Sequence, residues 1–438
     1  MAFHALPQWR RGAVAGMLAV LAALVGSSAG APALAEADEG YRRFLVALWP
    51  EAERMGISRA TFDKAFQGVE PDRSLPDLLL PGQEVKGQPE FTRTPAQYLD
   101  AGYLARLTEQ GRGLLKAHAA DLTKIEQQLG VQRQFVLAIW GRETAFGSHR
   151  SNYYVIKALA TQAYLGRRKD LFRTELLYAL KMLEDGVRTR DTLNGSWAGA
   201  MGLTQFMPSE YYALAYDLDG DGRKDIWTST ADALGSAANQ LRAKGWVPGQ
   251  GWGFEVRLPP SIACSLEGPD NRRPLREWVG LGVSRTVGAF PDAALEAQAF
   301  LLMPAGSYGP AFLALENFLV IKAYNMSDLY ALFVASLGDR IDGGAPFVTP
   351  WVELKQLSAT GIQEIQTGLQ RLGYDVAKID GKAGMNTRAL IGVYQKANSL
   401  KVDCWPSEAL IKHLRANPQL SASSLGKPAA EGLKAPAN

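Results

Sequence analysis

The sequence is poor in cysteine and histidine, and neither sign of charge predominates. Only two of its 438 residues are cysteine and only four are histidine. Because the histidines are not spaced as zinc ligands are, a zinc site is not expected. The formal net charge is +3, with 47 basic and 44 acidic side chains. Proteins that bind nucleic acid usually carry a clear basic excess, so this balance argues against a nucleic-acid partner.

The sequence also lacks an apolar run long enough to cross a bilayer, which takes about 20 residues. A shorter run, Ala13 to Val25, follows two arginines and precedes the small residues Ala33-Leu34-Ala35. This order is typical of a signal peptide, so we predict that residues 1–35 are removed on export. No cysteine follows the run, so we expect neither a lipid anchor nor a membrane span in the mature protein.

The two cysteines leave two interpretations open. An exported protein can keep a disulfide, yet the sequence does not show whether Cys264 and Cys404 lie close together. Free cysteine is among the most buried residue types, so two separate buried thiols are the favoured interpretation.

About 400 mature residues are too many for one hydrophobic core and predict two or three domains. Helical spacing of apolar residues covers most of residues 39–244, including Ile125 to Trp140, and returns at residues 316–337. Between residues 254 and 315, prolines and glycines separate short apolar runs, which is typical of strands. We predict a mainly α-helical domain, residues 36–343, with a small β-rich subdomain.

The C-terminal part of the sequence has three sections. Residues 344–360 begin with glycine and proline and are predicted to be a linker. Residues 361–416 contain three helical runs and predict a compact three-helix module. Residues 417–438 have no apolar period and are predicted to be disordered.

Glu143 is the main candidate for a catalytic residue. It ends an apolar helical stretch, in the run Ala138-Ile139-Trp140-Gly141-Arg142-Glu143-Thr144-Ala145-Phe146-Gly147. A half-buried carboxyl in apolar surroundings can keep its proton near neutral pH, as a general acid requires. The alternative is a surface glutamate that closes a helix, because most glutamates are exposed.

Two further segments follow the segment that contains Glu143. Residues 195–209 combine small residues with polar tips, and a late segment reads Ala323-Tyr324-Asn325-Met326-Ser327. In this order the three segments resemble the signature of the B-type lytic murein transglycosylases, glycoside hydrolase family 103, across residues 40–343. The resemblance implies a lysozyme-like, mainly α-helical catalytic domain located in the periplasm. It also implies cleavage of the MurNAc-GlcNAc bond of peptidoglycan, with glycan strands as the partner.

The resemblance assigns roles to particular residues. Glu143 matches the only catalytic acid and base of that family. The positions that line the substrate cleft match five residues here: Tyr98, Ser196, Gln205, Tyr324 and Asn325. Glu143 would protonate the glycosidic oxygen and then accept the proton of the attacking 6-hydroxyl, which leaves a 1,6-anhydro end and needs no cofactor.

Two other functions remain as alternatives. A muramidase, which hydrolyses the same bond, would need a second carboxylate, for which Asp185, Asp191 and Glu210 are candidates outside any matching motif. A catalytically silent wall-binding protein is the other alternative, and the intact segment around Glu143 argues against it.

The segment from Asp217 to Thr228 has the spacing of an EF-hand calcium loop. Carboxylates stand at positions 1, 3, 5 and 9, glycine at position 6, and a backbone carbonyl is available at position 7. These predicted ligands of a structural calcium ion are Asp217, Asp219, Asp221, Arg223 and Asp225. Thr228 stands where a glutamate usually binds, so modest affinity is expected, and an ion-free turn is the alternative.

The C-terminal segments Ile362 to Tyr374, Asp380 to Arg388 and Tyr394-Gln395 resemble the three-helix type of peptidoglycan-binding module. The resemblance implies that the module binds the cell wall. Cys404 stands where such modules commonly have glycine, which marks it as a candidate partner of Cys264.

Overall fold

The computed structural model describes residues 31–80, 82, 93–149 and 151–418. The chain divides into two units, residues 1–48 and residues 49–438. The predicted signal peptide lies outside the described residues, except for residues 31–35, which belong to the first helix. The predicted disordered tail also lies outside them, except for its first two residues.

Helices make up most of the described chain before residue 250, as the apolar spacing predicts. They are α1 (Ala31–Arg54), α2 (Arg59–Phe66), α3 (Pro95–Tyr98), α4 (Ala101–Ala117), α5 (Ala119–Leu129), α6 (Arg133–Thr144), α7 (Val155–Leu165), α8 (Lys169–Glu184), α9 (Pro208–Leu214) and α10 (Thr230–Ala243). The predicted helical stretch from Ile125 to Trp140 is divided, because Gly130 adopts a left-handed backbone (φ 70°) that ends α5. Two short strands, β1 (Tyr153–Tyr154) and β2 (Asn194–Gly195), pair antiparallel.

A five-stranded antiparallel sheet follows, in the region where prolines and glycines separate short apolar runs. In spatial order its strands are β4 (Arg273–Pro274), β6 (Gln298–Leu302), β7 (Ala311–Ala314), β3 (Gly253–Arg257) and β5 (Ser284–Arg285). Val256 of β3 lies opposite Ala311 of β7 and Arg285 of β5. The short helix α11 (Leu275–Gly280) buries Trp278 in the core of this part of the chain. The predicted β-rich subdomain is confirmed.

The predicted helix over residues 316–337 is divided in two. The helix α12 (Glu316–Asn325) ends where Met326 adopts a left-handed backbone (φ 54°), and α13 (Asp328–Ile341) begins after Ser327, which caps it. The two helices form a pair bent by 118°. Among the described residues no single helix has the length and apolarity to cross a membrane, and this bent pair passes only when both helices are counted together.

The largest hydrophobic core surrounds α6 and α13, which pack against each other. The helices α4 and α10 pack against α6 as well. Every residue of α6 from Phe135 to Gly141 is buried, as in a helix at the centre of a fold. Each large apolar side chain buried in this way contributes about 1.5–3 kcal/mol. The end of α6, which carries Glu143, is therefore held by the best-packed part of the molecule.

Three helices form the C-terminal module, as predicted: α14 (Ala359–Arg371), α15 (Met385–Ala397) and α16 (Glu408–Ala416). They enclose a small hydrophobic core of their own. The preceding segment, residues 342–358, has no helix or strand. The backbone N–H groups of Val348 and Thr349 in this segment donate to the carboxylate of Glu255 in β3. The segment therefore runs along the β-rich subdomain.

A disulfide joins Cys264 of the β-rich subdomain to Cys404 of the module. The favoured interpretation of two separate buried thiols is therefore wrong. The turn at Cys404 is held by Gln395, whose side-chain oxygen accepts the N–H groups of residues 403 and 404. Gly392 leaves room for the sulfur, because a Cβ there would lie 2.3 Å from Cys404 Sγ. The sequence indicates this pairing only through Cys404, which stands where such modules commonly have glycine, because the proximity of the two cysteines depends on how the module docks.

Candidate active site

Glu143 lies in the last turn of α6, which ends where Ala145 turns left-handed (φ 46°). The preceding residues of the helix are buried, but Glu143 itself is only half-buried. Glu143 therefore lies near the end of its helix without being fully exposed, and the helix itself belongs to the core. The structure places this carboxyl at the border between the apolar core and solvent, which is where an acid that meets a large substrate is needed.

The hydroxyl of Tyr330 donates a hydrogen bond to Oε1 of Glu143 at 2.5 Å. Tyr330 lies in the first turn of α13 and is 1% exposed. Burial raises the pKa of Tyr330 well above its usual value, and the nearby carboxylate of Glu143 raises it further. The phenol therefore stays protonated and remains a donor. Sequence reasoning missed Tyr330, because the two residues are 187 positions apart.

Arg142, the neighbour of Glu143, is held by aromatic side chains. Its guanidinium donates to the hydroxyl of Tyr98 at 2.5 Å and lies 5.0 Å from the centre of the Tyr98 ring and 5.2 Å from that of Phe333. Tyr98 is 6% exposed, and a capping box formed by Thr94 fixes its short helix α3. The structure thus places Tyr98, a predicted cleft residue, in the core. Tyr98 contacts Arg142, which is the residue next to Glu143 in the sequence.

The second segment is attached to the end of α6. The hydroxyl of Thr144 donates to the carbonyl of Leu203 at 2.7 Å. Gly202 has a left-handed backbone (φ 74°), and a Cβ there would lie 2.6 Å from the carbonyl oxygen of Ile226. No other residue type fits this position without a shift of the backbone. The glycines of this segment therefore allow close backbone packing next to Glu143.

The two predicted residues of the second segment differ in their surroundings. Ser196 Oγ accepts the backbone N–H groups of Ala198 and Ala200 at 3.3 and 3.0 Å, so it organises the turn between them. Gln205 has a left-handed backbone (φ 56°), and its Nε2 donates to the carbonyl of Gly202 at 3.0 Å. Both side chains are half-buried, so each keeps part of its surface open to solvent.

Tyr324 of the third segment links the other two. Its hydroxyl donates to the carbonyl of Thr204 at 2.7 Å, and its ring stacks on that of Tyr330 with centroids 6.2 Å apart. Burial raises the pKa of Tyr324, and Glu143 and Glu210 raise it further. Asn325, the last residue of α12, is half-buried. The three predicted segments therefore meet around Glu143.

Strained backbone is concentrated in the same three segments. Four residues other than glycine adopt left-handed conformations there: Ala145, Phe146, Gln205 and Met326. Each such residue costs on the order of 1 kcal/mol or more, and conformations of this kind cluster at functional sites. Two of them directly follow the turn with Glu143, and the others lie in the second and third segments. The strain is an indication of function that does not depend on sequence resemblance.

The three candidates for a second carboxylate have different surroundings. Asp185 accepts the hydroxyl of Tyr212 at 2.7 Å and pairs with a lysine on its own helix. Asp191 is exposed. Glu210 caps α9 by accepting the N–H of Met207, and it also accepts the side chain of Gln240. Asp185 and Asp191 are exposed, whereas burial raises the pKa of Glu210, whose charge in turn raises the pKa of Tyr324. Glu210 is therefore the candidate nearest the third segment, and both of its oxygens already accept hydrogen bonds.

The predicted calcium loop brings three of its carboxylates together with one that the spacing did not indicate. Oxygens of Asp217, Asp219, Asp221 and Asp232 lie within 4.8 Å of one another. Asp232 follows the loop in the first turn of α10, is buried, and accepts the N–H of Leu218 at 2.8 Å. Because it lies beyond the twelve positions of the usual loop, the spacing rule does not include it.

The other two predicted ligands, Asp225 and Arg223, are not members of this carboxylate cluster. The carboxylate of Asp225 accepts the N–H groups of Trp227 and Thr228 at 2.9 and 3.0 Å, so it closes the turn. Arg223 is exposed, and its backbone N–H donates to Asp221 at 2.8 Å.

Two family models match the chain. Residues 40–339 match the model described as the transglycosylase SLT domain, and residues 358–414 match the putative peptidoglycan binding domain. The chain belongs to the transglycosylase SLT family. The predicted resemblance, the lysozyme-like α-helical fold and the C-terminal peptidoglycan-binding module are confirmed by these matches.

Solved structures of other members of the transglycosylase SLT family are similar to this chain. Pseudomonas aeruginosa SltB3 in complex with NAG-anhNAM-pentapeptide is 42% identical, covers 86% of this chain and 99% of its own, and superimposes with a TM-score of 0.76. Soluble lytic transglycosylase SltB1 of the same organism is 30% identical over 68% of this chain and 97% of its own, with a TM-score of 0.55.

A curated relative, the membrane-bound lytic murein transglycosylase B of Escherichia coli, is 33% identical over 224 residues. The match covers 50% of this chain and 60% of the relative, so less than two thirds of that protein is represented. These similar members of the family are lytic transglycosylases of bacterial cell walls. Lytic transglycosylases need no cofactor for their chemistry.

Proposed function

We propose that this chain is a peptidoglycan lytic transglycosylase in which Glu143 is the only acid and base. The observation that supports the proposal best is the convergence of the three segments on one half-buried carboxyl held by Tyr330. The SltB3 complex contains an anhydro sugar, which is the type of end that this reaction leaves. Release of soluble fragments from purified wall, dependent on Glu143, tests the proposal.

The proposed reaction uses Glu143 in two proton transfers, one in each direction. Glu143 first donates its proton to the oxygen between the two sugars, and the bond from that oxygen to the N-acetylmuramic acid carbon breaks. Positive charge develops on that sugar ring. Its own 6-hydroxyl then attacks the same carbon, and the carboxylate of Glu143 accepts the hydroxyl proton. No water is consumed, and Glu143 regains its starting form.

The neighbours of Glu143 fit this sequence of steps. The hydrogen bond from Tyr330 fixes the orientation of the carboxyl group, which must face the leaving oxygen and later the 6-hydroxyl. The cation of Arg142 lies beside it and is held by Tyr98. The guanidinium of Arg142 attracts the carboxylate of Glu143, so it stabilises the negative charge that forms in the first step.

We propose that two of the predicted cleft residues contact the glycan and that the other three support the shape of the cleft. Gln205 and Asn325 present half-buried amides to the cleft, where they would exchange hydrogen bonds with sugar hydroxyl and acetamido groups. Ser196 and Tyr324 contribute indirectly. Each is hydrogen-bonded to the backbone of the second segment and so supports the shape of that side of the cleft. Tyr98 contributes from the core through Arg142.

The C-terminal module is proposed to hold peptidoglycan near the cleft. A cavity of about 550 Å³ lies between the module, the β-rich subdomain and the third segment. Its walls include Lys378 and Asn386 from the module, Asn271 from the subdomain, and Lys322 and Met326 beside the third segment. The walls also include carboxylates, so the cavity offers polar groups of both charge signs to a polymer that carries amides and carboxylates. The cavity adjoins the proposed catalytic cleft at Met326.

We further propose that the protein acts in the periplasm after removal of residues 1–35 and without a lipid anchor. The similar proteins are bacterial cell-wall enzymes, and their substrate lies outside the cytoplasmic membrane. N-terminal sequencing of the protein recovered from the producing cells tests this, with Glu36 as the expected first residue. An N-terminus within the first 30 residues would contradict it.

A structural calcium ion is proposed for the cluster of Asp217, Asp219, Asp221 and Asp232. The donor set fits a hard cation, because it offers only oxygen atoms, already within 4.8 Å of one another. The ion would offset the repulsion between four carboxylates and tie the loop to the start of α10. It would have no role in bond cleavage.

Calcium in excess should raise the melting temperature of the protein, because an ion that binds only the folded state stabilises it by mass action. At 100 times the dissociation constant the gain is about 2.7 kcal/mol. The variant Asp217→Ala/Asp221→Ala should melt at the same temperature with calcium as with chelator. Magnesium serves as a control, since it demands a tighter octahedral site. Identical melting curves of the native protein in calcium and in chelator would rule out the site.

A further inference from the structure

A buried ion-pair network joins the C-terminal module to the rest of the chain. Arg388 of α15 has a side chain that is only 4% exposed. Its guanidinium donates to both carboxylate oxygens of Glu267 in the β-rich subdomain, at 2.9 and 2.5 Å. The same group also donates to Oδ2 of Asp328 at 3.2 Å. One planar cation from the module therefore holds two carboxylates from two other parts of the molecule.

Asp328 is the first residue of α13, the helix that carries the hydrogen-bond donor of Glu143. Its second oxygen, Oδ1, lies 2.8 Å from Nζ of Lys322 in α12. Arg388 and Lys322 thus hold the start of α13 from two sides. Only two residues further along the same turn, Tyr330 donates to Glu143 at 2.5 Å. A carboxylate at the N-terminus of a helix is also favoured by the helix dipole.

The four charged groups balance one another. Glu267 and Asp328 are both buried, and so is Arg388, while Lys322 is partly exposed. Buried charges are tolerated only when each is paired with good geometry, so the position of each group is closely fixed. The network is contiguous from the module to α13, and α13 packs against α6, which carries Glu143.

We propose that Arg388 is a positioning residue for the reaction assigned to Glu143. It acts through Asp328 on the start of α13 and so sets the distance from the phenol of Tyr330 to the catalytic carboxyl. The C-terminal module is then a working part of the catalytic unit as well as a binding module. The inference rests on the proposed role of Glu143. Displacement of a catalytic group by about 1 Å can lower a rate by about 10²-fold. A small shift at the start of α13 would therefore be enough to slow the reaction.

The test measures kcat and KM on a short soluble glycan, so that retention on insoluble wall does not enter. Arg388→Met should lower kcat by about 10- to 10²-fold and change KM by less than about twofold. Arg388→Lys keeps the positive charge but loses the planar group that donates two parallel hydrogen bonds. Its kcat should therefore lie between those of Arg388→Met and the native chain. The matched control is Arg415→Met, which removes an exposed arginine paired with Glu364 within the module and should leave kcat unchanged.

A double-mutant cycle with Tyr330→Phe separates positioning from general destabilisation. If Arg388 acts through Tyr330, then Arg388→Met should change kcat by less than about twofold in the Tyr330→Phe background. Full additivity of the two losses would overturn the proposal, as would an unchanged kcat in folded Arg388→Met. If Arg388→Met does not fold, Arg388→Lys and Asp328→Asn each take its place in the cycle with Tyr330→Phe. Full additivity or an unchanged kcat would again overturn the proposal.

Failure of this inference can be told from failure of the proposed function. If Glu143→Gln is inactive while folded Arg388→Met retains its full kcat, only the positioning role is wrong. If Glu143→Gln remains active, the assignment of the catalytic carboxyl is wrong, and the positioning role falls with it.

Discussion

Glu143→Gln should cleave peptidoglycan at least about 10²- to 10⁴-fold more slowly than the native chain, with the fold unchanged. The amide has nearly the shape of the carboxyl, and its oxygen can still accept the hydrogen bond from Tyr330. It has no proton to give to the glycosidic oxygen, and it cannot accept one from the 6-hydroxyl. Because one group is proposed to act in both steps, no other side chain replaces it.

The measurement is the release of soluble fragments from purified wall, together with a melting curve to verify folding. Asp191→Asn is the matched control, since it makes the same carboxylate-to-amide change at an exposed site. It should retain native activity. Cleavage at a near-native rate by folded Glu143→Gln would show that another group is the acid.

Removal of the disulfide should have the second large effect, this time on stability. The bond between Cys264 and Cys404 closes a loop of 140 residues. In the chain-entropy account, a loop of this size stabilises the folded state by up to about 5 kcal/mol, and loss of a native disulfide costs about 2–5 kcal/mol. Cys264→Ala/Cys404→Ala should therefore lower the free energy of unfolding by about 2–5 kcal/mol, which is measured as a shift of the unfolding midpoint to lower denaturant concentration.

Reductant provides the control for this experiment. It should move the unfolding midpoint of the native protein towards that of the double variant and should leave the variant itself unchanged. Equal midpoints for the native protein and the variant in the absence of reductant would contradict a disulfide that holds the module in place.

The sequence predicted the features that depend on neighbouring residues or that resemble a known family. Glu143 was found because a buried helix, a glutamate and a glycine-containing turn follow one another in ten residues. The five-stranded sheet region and the three helices of the module were found because their apolar spacing changes at prolines and glycines. Breaks at Gly130 and Met326 were missed, because a left-handed residue inside a helical pattern leaves no periodic signal.

The contacts that complete the site are long-range, which is why the sequence did not show them. Tyr330 approaches Glu143 only after α13 packs on α6. Asp232 joins the carboxylate cluster only because α10 begins directly behind the loop. The pairing of Arg388 with Glu267 depends on the docking of the module, as does the disulfide. In each case the partners lie in different segments of the sequence, and only the fold brings them together.

The most direct test of the account is mass spectrometry of the fragments released when the purified protein digests cell-wall sacculi in heavy-oxygen water. Internal transfer by Glu143 should produce 1,6-anhydro-N-acetylmuramic acid ends, which are lighter than a hydrolysis product by one water and free of heavy oxygen. Glu143→Gln should release no such fragments. Reducing ends that carry heavy oxygen would show that water attacks the sugar, and would contradict the internal transfer assigned to Glu143.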